Sequence, residues 1–399
     1  MAISNIAPRA LSEGEFATLI NRLAADPVGG AQLMDLLREE HPVYDGRGTA
    51  TVVRMRGWIL LALARSGLSD QALIFVLEEL DTGIDAYLVA AAARALRSYA
   101  QPNETLAPFV VRALNQIRYH DEPISFESYG EYATSSTGTS AVSELLATLA
   151  WLGPNARAVL PQLEHWRAEH GLSRKLRLDL DRALQVIRGP ADGLSSCCGG
   201  LPDGGNISIR TSIARFESKS IDSIVMQDQD GKLLKFVEFF SGTPSIVVFF
   251  YTRCDNRMKC SLSVTKLARV QTLLDAKGLA RRIRTAAITY DPEFDRAERL
   301  RVYGKDRAVR MDENHRMLRA IEGNDALREY FELGVNFIES LVNRHRIELY
   351  ILDAAGRIAV SFERLHWDED QIVTRAVETL KEMEVSQHRS SLTCRLIDV

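Results

Sequence analysis

Two cysteines, Cys254 and Cys260, stand where a buried strand is predicted to turn into a helix. The apolar run 246–252 ends just before Cys254, and a helix is predicted to start near Cys260. A thiol near a helix N-terminus is stabilised as the thiolate, which is both a nucleophile and a soft metal ligand. With five residues between them, the two thiols are able to bracket one ion or to form a disulfide. Soft thiolates select Cu(I) or zinc, and one nearby imidazole would complete a three-coordinate site.

A second pair, Cys197 and Cys198, lies in a stretch that cannot form regular structure. Residues 189–206 contain six glycines and two prolines, which predicts a linker over 189–212. Two interpretations stay open for the pair: an inert tether, or a loop that folds onto the site and adds Cys197 and Cys198 as metal ligands. Cys394 is a further candidate for thiol exchange with them.

The composition is that of an ordinary globular protein that is too long for one core. The 399 residues predict two or three domains, and the net charge of −4 argues against a nucleic-acid partner. The first residues lack a basic stretch followed by an apolar core, and the run 246–251 is too short to span a bilayer. We therefore expect a cytoplasmic protein without membrane insertion, whose five cysteines are ligands, redox thiols or core residues rather than disulfides.

Residues 1–188 predict an all-α domain. The main predicted helices cover residues 53–66, 72–80, 87–100 and 105–117. A helix, a turn with proline and asparagine, and a second helix that starts near a proline recur around Pro108 and Pro161. The string LGPNA at 152–156, together with Pro161, resembles the inter-helix turn of HEAT repeats. This resemblance, over about residues 50–188, implies an α-solenoid that docks a protein or peptide client.

The segment 122–140 interrupts this helical pattern. It is polar and aromatic and is rich in serine, threonine and glycine. The segment is either a surface loop between repeats or a functional loop that reaches toward a neighbour or ligand.

Residues 213–399 change to an α/β pattern. Predicted strands cover 221–225, 233–236, 246–252, 284–289, 347–352 and 357–362, and predicted helices cover 262–276, 324–333 and 371–382. The order β-β-β-α-β-α-β-β-α is typical of a thioredoxin-like domain. The sequence thus predicts a multidomain protein with an N-terminal HEAT-like solenoid, a linker and a C-terminal thioredoxin-like domain.

Motifs spread over residues 228–382 resemble the SCO/SenC family of copper proteins. They are DQDGK at 228–232, FFYTRC at 249–254, the leucine helix after Cys260, Asp291-Pro292, Gly334-Val335, and His345 followed by Tyr350. The resemblance implies that Cys254, Cys260 and His345 bind copper, as Cu(I) or Cu(II), and that the two cysteines cycle between dithiol and disulfide. Asp291 is expected either to orient this site or to cap a helix.

The sequence departs from the family in the spacing of its cysteines. Family members usually have three residues between the cysteines, with prolines nearby, whereas this chain has five and no proline. Three roles follow from the resemblance: a copper-thiolate or thiol-disulfide oxidoreductase with a docking domain, a copper chaperone or sensor without turnover, or a scaffold with a vestigial redox domain. Turnover of a thiol substrate would separate the first role from the second.

Overall fold

The computed structural model describes residues 11–127, 138–169, 172–189, 219–254, 259–338, 341–364 and 368–395. Its contacts divide the chain into an N-terminal and a C-terminal compact unit. Apart from Gly189, the predicted linker lies outside the described residues, and so do Cys197 and Cys198. The linker and the role of its cysteines therefore stay predictions.

The N-terminal unit is built from helices, as predicted. They are α1 (Glu13–Ala25), α2 (Gly30–Asp35), α3 (Thr49–Ser66), α4 (Asp70–Thr82), α5 (Ala86–Leu96), α6 (Ala107–Ile117), α7 (Ala141–Leu152), α8 (Leu160–Ala168) and α9 (Arg174–Arg188). Short 3₁₀ turns occupy Pro42–Tyr44, Glu104–Leu106 and Gly153–Val159. Several helices start at a side chain that accepts a backbone N–H, for example Ser69 before α4 and Asp85 before α5.

The alanine-rich helix α5 lies at the centre of this unit. Most of its side chains are fully buried, and it packs against α3, α4 and α7. Small side chains allow neighbouring backbones to approach closely, which explains the alanine content. The helix ends at Leu96, earlier than the predicted 87–100, and beyond this end the Ser98 hydroxyl lies within hydrogen-bond distance of the carbonyl oxygens of Ala95 (2.7 Å) and Leu63 (3.2 Å).

The segment 122–140 is held to the helices at both of its ends. Strand β1 (Pro123–Ile124) pairs antiparallel with β2 (Thr139–Ser140). The ring of Phe126 lies 6.0 Å from that of Tyr87, and the guanidinium carbon of Arg94 lies 4.1 Å from the Phe126 ring. Residues 128–137 lie outside the described part, so both interpretations of the loop stay open.

The C-terminal unit is α/β, as predicted. Its elements are α10 (Lys219–Asp222), β3 (Val225–Asp228), β4 (Leu233–Lys235), α11 (Phe236–Phe240), β5 (Ser245–Phe250), α12 (Cys260–Ala276), β6 (Arg284–Thr289), α13 (Ala297–Asp306), β7 (His315–Glu322), α14 (Asn324–Tyr330), β8 (Val335–Ile338), β9 (Leu341–His345), β10 (Glu348–Leu352), β11 (Ile358–Glu363) and α15 (Glu369–Arg395).

Seven of these strands form one mixed sheet in the order β11-β10-β5-β6-β7-β3-β4. Strands β5, β6 and β7 are parallel, and the flanking pairs are antiparallel. All six residues of β5 are buried, which confirms the continuous apolar strand. Strands β8 and β9 pair separately from this sheet. Among the described residues, no helix combines the length and the apolar character needed to cross a membrane.

The sequence prediction was wrong at several places in this unit, and it also lacked α11, β8 and β9. The first strand was expected at 221–225, but Lys219–Asp222 are helical and β3 begins at Val225. Helix α13 and strand β7 were missed, although β7 is a central strand. Arginines interrupt its apolar pattern, and they are accommodated by the neighbouring strand β3: Arg316 pairs with Asp228, and Arg319 Nε donates to Gln227 Oε1 at 2.9 Å.

Candidate metal and thiol site

Cys254 lies in the turn that follows β5, and buried polar contacts hold this turn in place. The fully buried carboxylate of Asp295 accepts the Thr252 backbone N–H at 3.0 Å, and it also accepts the Thr252 hydroxyl. The hydroxyl of Thr289, at the end of β6, donates to the same carboxylate at 2.5 Å. The turn is thereby tied to two neighbouring segments, which leaves Cys254 half-buried at the edge of the sheet.

Cys260 is the first residue of α12 and is fully buried. The backbone N–H of Tyr251 donates to its sulfur at 3.4 Å. The preceding side chain, Lys259, is also buried, and its Nζ donates to the carbonyl oxygen of His345 at 3.3 Å. Burial raises the pKa of this thiol and outweighs the Tyr251 N–H and the nearby Lys259 cation, which lower it.

The register of the sheet brings His345 to these cysteines. Strand β10 runs antiparallel beside β5, with Leu349 opposite Val248. The start of β10, just after His345, is thus next to the end of β5, just before Cys254. The imidazole Nε2 lies 3.5 Å from Cys254 Sγ and 3.3 Å from Cys260 Sγ.

The backbone orients the imidazole of His345 toward the two sulfur atoms. Its Nδ1 lies 3.0 Å from the carbonyl oxygen of Arg346. Because a carbonyl oxygen only accepts, Nδ1 carries a proton, and Nε2 is left facing the thiols. The rings of Tyr251 and Tyr290 pack against the imidazole at centroid distances of 5.5 Å. One ligand atom from each of Cys254, Cys260 and His345 lies within 4.8 Å of the others, so the three residues are able to hold one metal ion.

The two thiols differ in acidity, because Cys260 is buried whereas neighbouring groups stabilise the thiolate of Cys254. A hydrogen bond from the Cys260 thiol, together with the His345 imidazole, holds the pKa of Cys254 well below its usual range. Burial raises the pKa of Cys260, and the neighbouring Cys254 raises it further. Neither cysteine forms a disulfide within the part of the chain that the structure describes. Cys254 is therefore the nucleophile of the pair, and Cys260 is the second sulfur that it is able to bond.

A buried ion pair that sequence reasoning missed supports the histidine from behind. Glu348 Oε1 accepts from Arg346 Nε and from the Gly334 N–H, each at 2.7 Å, and Glu348 Oε2 accepts from the Tyr290 hydroxyl at 2.7 Å. A Cβ atom on Gly334 would lie 2.5 Å from Arg346 Cδ, so the arginine passes directly over this glycine. Two charged residues next to His345, at the start of an apolar strand, were the available signal.

Asp291 takes the first of the two roles that the sequence left open and does not cap a helix, since the N-cap of α13 is Arg296. Its carboxylate pairs with Arg253, the residue before Cys254, and it also accepts the Phe294 backbone N–H at 3.4 Å within its own turn. The residue thus helps to position the turn that carries Cys254.

The predicted site residues fall into two groups. The structure brings together Cys254, Cys260 and His345. Cys197 and Cys198 lie outside the described residues. Cys394 lies within α15, at a position where only the backbone is described.

The chain is similar to several solved structures over its C-terminal part. Arabidopsis thaliana ScoI with copper bound is 19% identical, with 41% of this chain and 99% of that chain covered and a TM-score of 0.34. Bradyrhizobium japonicum ScoI with copper bound is 18% identical, with 39% and 96% covered and a TM-score of 0.33. Yeast Sco1 is 21% identical, with 42% and 97% covered and a TM-score of 0.33.

No curated protein matches the chain significantly. The model of the SCO1/SenC family matches residues 217–381, a stretch that contains both site cysteines and the histidine. Residues 217–381 of this chain are therefore similar to the SCO1/SenC family.

Proposed function

We propose that this protein is a copper-binding thiol redox protein, with Cys254, Cys260 and His345 as copper ligands on a thioredoxin-like domain. The observation that carries the proposal is the convergence of two thiols and one imidazole within 4.8 Å, inside the region that matches SCO1/SenC. Two sulfur donors and one nitrogen donor form the soft, three-coordinate set that suits Cu(I). When bound, copper would supply a soft, one-electron redox centre.

The residues around the site provide the remaining requirements of this chemistry. The Arg346 carbonyl keeps His345 Nε2 directed at the sulfur atoms, and the buried Tyr251 and Tyr290 rings shield the imidazole from water. In the metal-free protein, the Cys254 thiolate is able to attack a disulfide of a substrate and form a mixed disulfide. Attack of Cys260 sulfur on Cys254 then releases the substrate as a dithiol and leaves a Cys254–Cys260 disulfide, which is a two-electron transfer.

Anaerobic loading with Cu(I), followed by metal analysis, tests the proposal. We expect about one copper per chain in the wild type and little retained copper in a Cys254→Ser/Cys260→Ser double variant. A Cys394→Ser variant controls for loss of a thiol elsewhere. Equal copper in the wild type and the double variant would refute the assignment. Turnover of a disulfide substrate by the metal-free protein separates a redox role from copper carriage alone.

The linker cysteines Cys197 and Cys198 are proposed as additional thiolates at this site. Adjacent thiols in a glycine-rich stretch are open to oxidation unless they serve a purpose. We expect a Cys197→Ser/Cys198→Ser variant to bind Cu(I) more weakly in competition with a chelator. An unchanged affinity would reduce the site to its three described residues.

The helical unit is proposed as a HEAT-type solenoid that docks a protein or peptide client. The support is its stacking: α3 packs against α1 and α5, and α7 packs against α5 and α9. Crosslinking of the full chain in cell extract would identify clients held by the helices. The comparison is with the C-terminal part alone, which is released from the same chain by site-specific cleavage in the linker. Clients that are recovered equally well with the C-terminal part alone would contradict the docking role.

We also propose that the protein acts in the reducing cytoplasm. There its five cysteines would stay reduced, as thiols that are available to bind metal. Labelling of intact cells with membrane-permeant and membrane-impermeant thiol reagents is the test. Labelling by the impermeant reagent in unbroken cells would place the protein elsewhere.

A further inference from the structure

The two site cysteines are surrounded by positively charged side chains. Arg253 precedes Cys254 and Lys259 precedes Cys260. On the far side of Cys260, Arg307 Nε donates to the Ser261 hydroxyl oxygen at 3.0 Å. A cation therefore lies next to each cysteine in the chain, and a third reaches the start of α12 from another element.

Two aromatic rings hold guanidinium groups in place in segments that pack against the end of β5 and the turn that follows it. The guanidinium carbons of Arg253 and Arg299 each lie 3.9 Å from the centroid of the Phe294 ring. The guanidinium carbon of Arg307 lies 3.4 Å from the ring of Tyr303. Cation–π contacts of this kind hold a flexible arginine in one orientation without neutralising its charge.

Helix geometry explains why the side chains of Arg299 and Arg307, with Tyr303 between them, form one line, here called the arginine stripe. Arg299, Tyr303 and Arg307 are spaced by four residues, so they follow one another along one side of α13 and its C-terminal end. Tyr303 stacks on Phe250, the last residue of β5, at a centroid distance of 5.2 Å. The stripe therefore lies against the strand that leads to Cys254.

The ion pair with Asp291 neutralises Arg253, whereas Arg299 and Arg307 form no ion pair among the described residues. Asp291 pairs with Arg253, and Asp295 is engaged by the hydroxyls that hold the turn. Among the residues that the structure describes, Arg299 makes no ion pair and no hydrogen bond, and its contact is with the Phe294 ring. Within the described part of the chain, Arg307 donates only to the Ser261 hydroxyl oxygen and the Tyr303 carbonyl oxygen.

We propose that this arginine stripe selects redox partners of one chemical class: thiols that carry a carboxylate next to their sulfur. The inference rests on the proposed redox role of Cys254 and Cys260 and specifies its substrate. A planar guanidinium binds a carboxylate through two parallel hydrogen bonds, and an exposed positive field raises the encounter rate of anions. The sulfur of such a thiol would be held close to Cys254, the more exposed of the two site cysteines.

The selected step is reduction of the Cys254–Cys260 disulfide. The thiolate of the partner attacks Cys254 Sγ, the bond between the two protein sulfurs breaks, and Cys260 leaves as a thiolate that takes up a proton. A second partner thiolate attacks the partner sulfur of this mixed disulfide. Cys254 leaves as a thiolate, and two partner thiols have been oxidised to one disulfide while the protein gains two electrons.

The test measures the rate of disulfide reduction in the full-length, metal-free protein with three small thiols: mercaptosuccinate, neutral 2-mercaptoethanol and cationic cysteamine. The wild type is compared with Arg299→Gln, and Arg299→Lys retains the charge. Arg301→Gln is the matched control, because Arg301 lies on the same helix but its guanidinium binds Asp230 at 2.8 Å. Dividing each rate by that of 2-mercaptoethanol with the same variant removes intrinsic differences in thiol reactivity.

We expect Arg299→Gln to lower the relative rate of mercaptosuccinate by about threefold and to raise that of cysteamine, with the wild-type preference weakening at high salt. Arg299→Lys should restore most of the preference, and Arg301→Gln should retain it. Equal effects of Arg299→Gln and Arg301→Gln, or a wild type that does not discriminate by charge, would overturn the inference.

A second arm uses short cysteine peptides flanked by aspartate or by lysine. Preference for the acidic peptide assigns the stripe to peptide or protein partners, and preference confined to mercaptosuccinate assigns it to small thiols. If neither arm shows selection by charge, the proposal is refuted. If no thiol reduces the protein, or no disulfide forms, the redox role itself fails, and this result is distinct from reduction that is insensitive to charge.

Discussion

The substitution Glu348→Gln removes one partner of the buried ion pair behind His345. The described hydrogen-bond partners of this carboxylate all donate to it: Arg346 Nε, the Gly334 N–H and the hydroxyls of Tyr290 and Tyr350. Glu348 is fully buried and Arg346 is 5% exposed, so both charges depend on each other. Glutamine removes the negative charge and replaces one accepting oxygen by an NH₂ group, which faces groups that donate to the carboxylate in the wild type.

The expected cost follows from what Arg346 retains. Removal of one partner from a buried ion pair costs about 3–5 kcal/mol. Arg346 still reaches Glu363 at 3.4 Å and the Glu332 carbonyl oxygen at 2.6 Å, which places the loss near the lower end, at about 3 kcal/mol. With a urea dependence of about 2 kcal/mol per molar, the unfolding midpoint of the C-terminal unit should fall by about 1.5 M.

Glu363→Gln is the matched control, because it removes a charge from the same arginine at a carboxylate that is 39% exposed. Its cost should stay below about 1 kcal/mol. Urea unfolding followed by far-ultraviolet circular dichroism measures both variants, and tryptophan fluorescence in a Trp367→Phe background follows the N-terminal unit separately, because the other three tryptophans lie there. If Glu348→Gln lowers the urea midpoint no more than Glu363→Gln does, the buried Arg346–Glu348 pair does not stabilise the segment that contains His345.

Three further predictions concern single residues. Lys259→Met should weaken Cu(I) binding about tenfold in chelator competition, since the buried ammonium offsets the negative charge of two thiolates. Lys277→Met, at the exposed end of α12, should leave the affinity unchanged, and equal losses of affinity in the two variants would refute the charge effect. Burial lowers the pKa of His315 below its usual 6.5, so the unfolded chain binds a proton that the folded chain resists. Stability should therefore fall as the pH drops below about 6.5, and His315→Gln should flatten that decline in urea midpoints measured between pH 8 and 5; an unchanged slope would exclude this residue. At pH 6, iodoacetamide should alkylate Cys254 at least about tenfold faster than Cys260, as read by peptide mass spectrometry, because its pKa is lowered whereas that of the buried Cys260 is raised; labelling in the reverse order would contradict the assignment of the nucleophile.

Several elements could be predicted because their signals are local. The strand Arg284–Thr289 was predicted at its observed bounds, and α3 and α12 contain the predicted helices. Apolar periodicity and turn residues act over a few positions, so they are readable along the chain. Strand β7 could not be read in this way, because the partners that accommodate its arginines come from β3, nearly a hundred residues earlier.

The sequence by itself determined the chemistry that is possible here: two thiols at a strand-to-helix turn, and one histidine in the register of a SCO/SenC motif. Only the tertiary structure decided that they meet, because the antiparallel pairing of β10 with β5 carries His345 across the sheet to Cys254. It also decided the charges around the site. The effects of Lys259, the Arg346–Glu348 pair and the arginine stripe depend on their burial and on contacts that the sequence alone does not show. Residue types are written in the sequence, whereas desolvation and charge proximity, which shift pKa values and select ligands, arise only when the chain is folded.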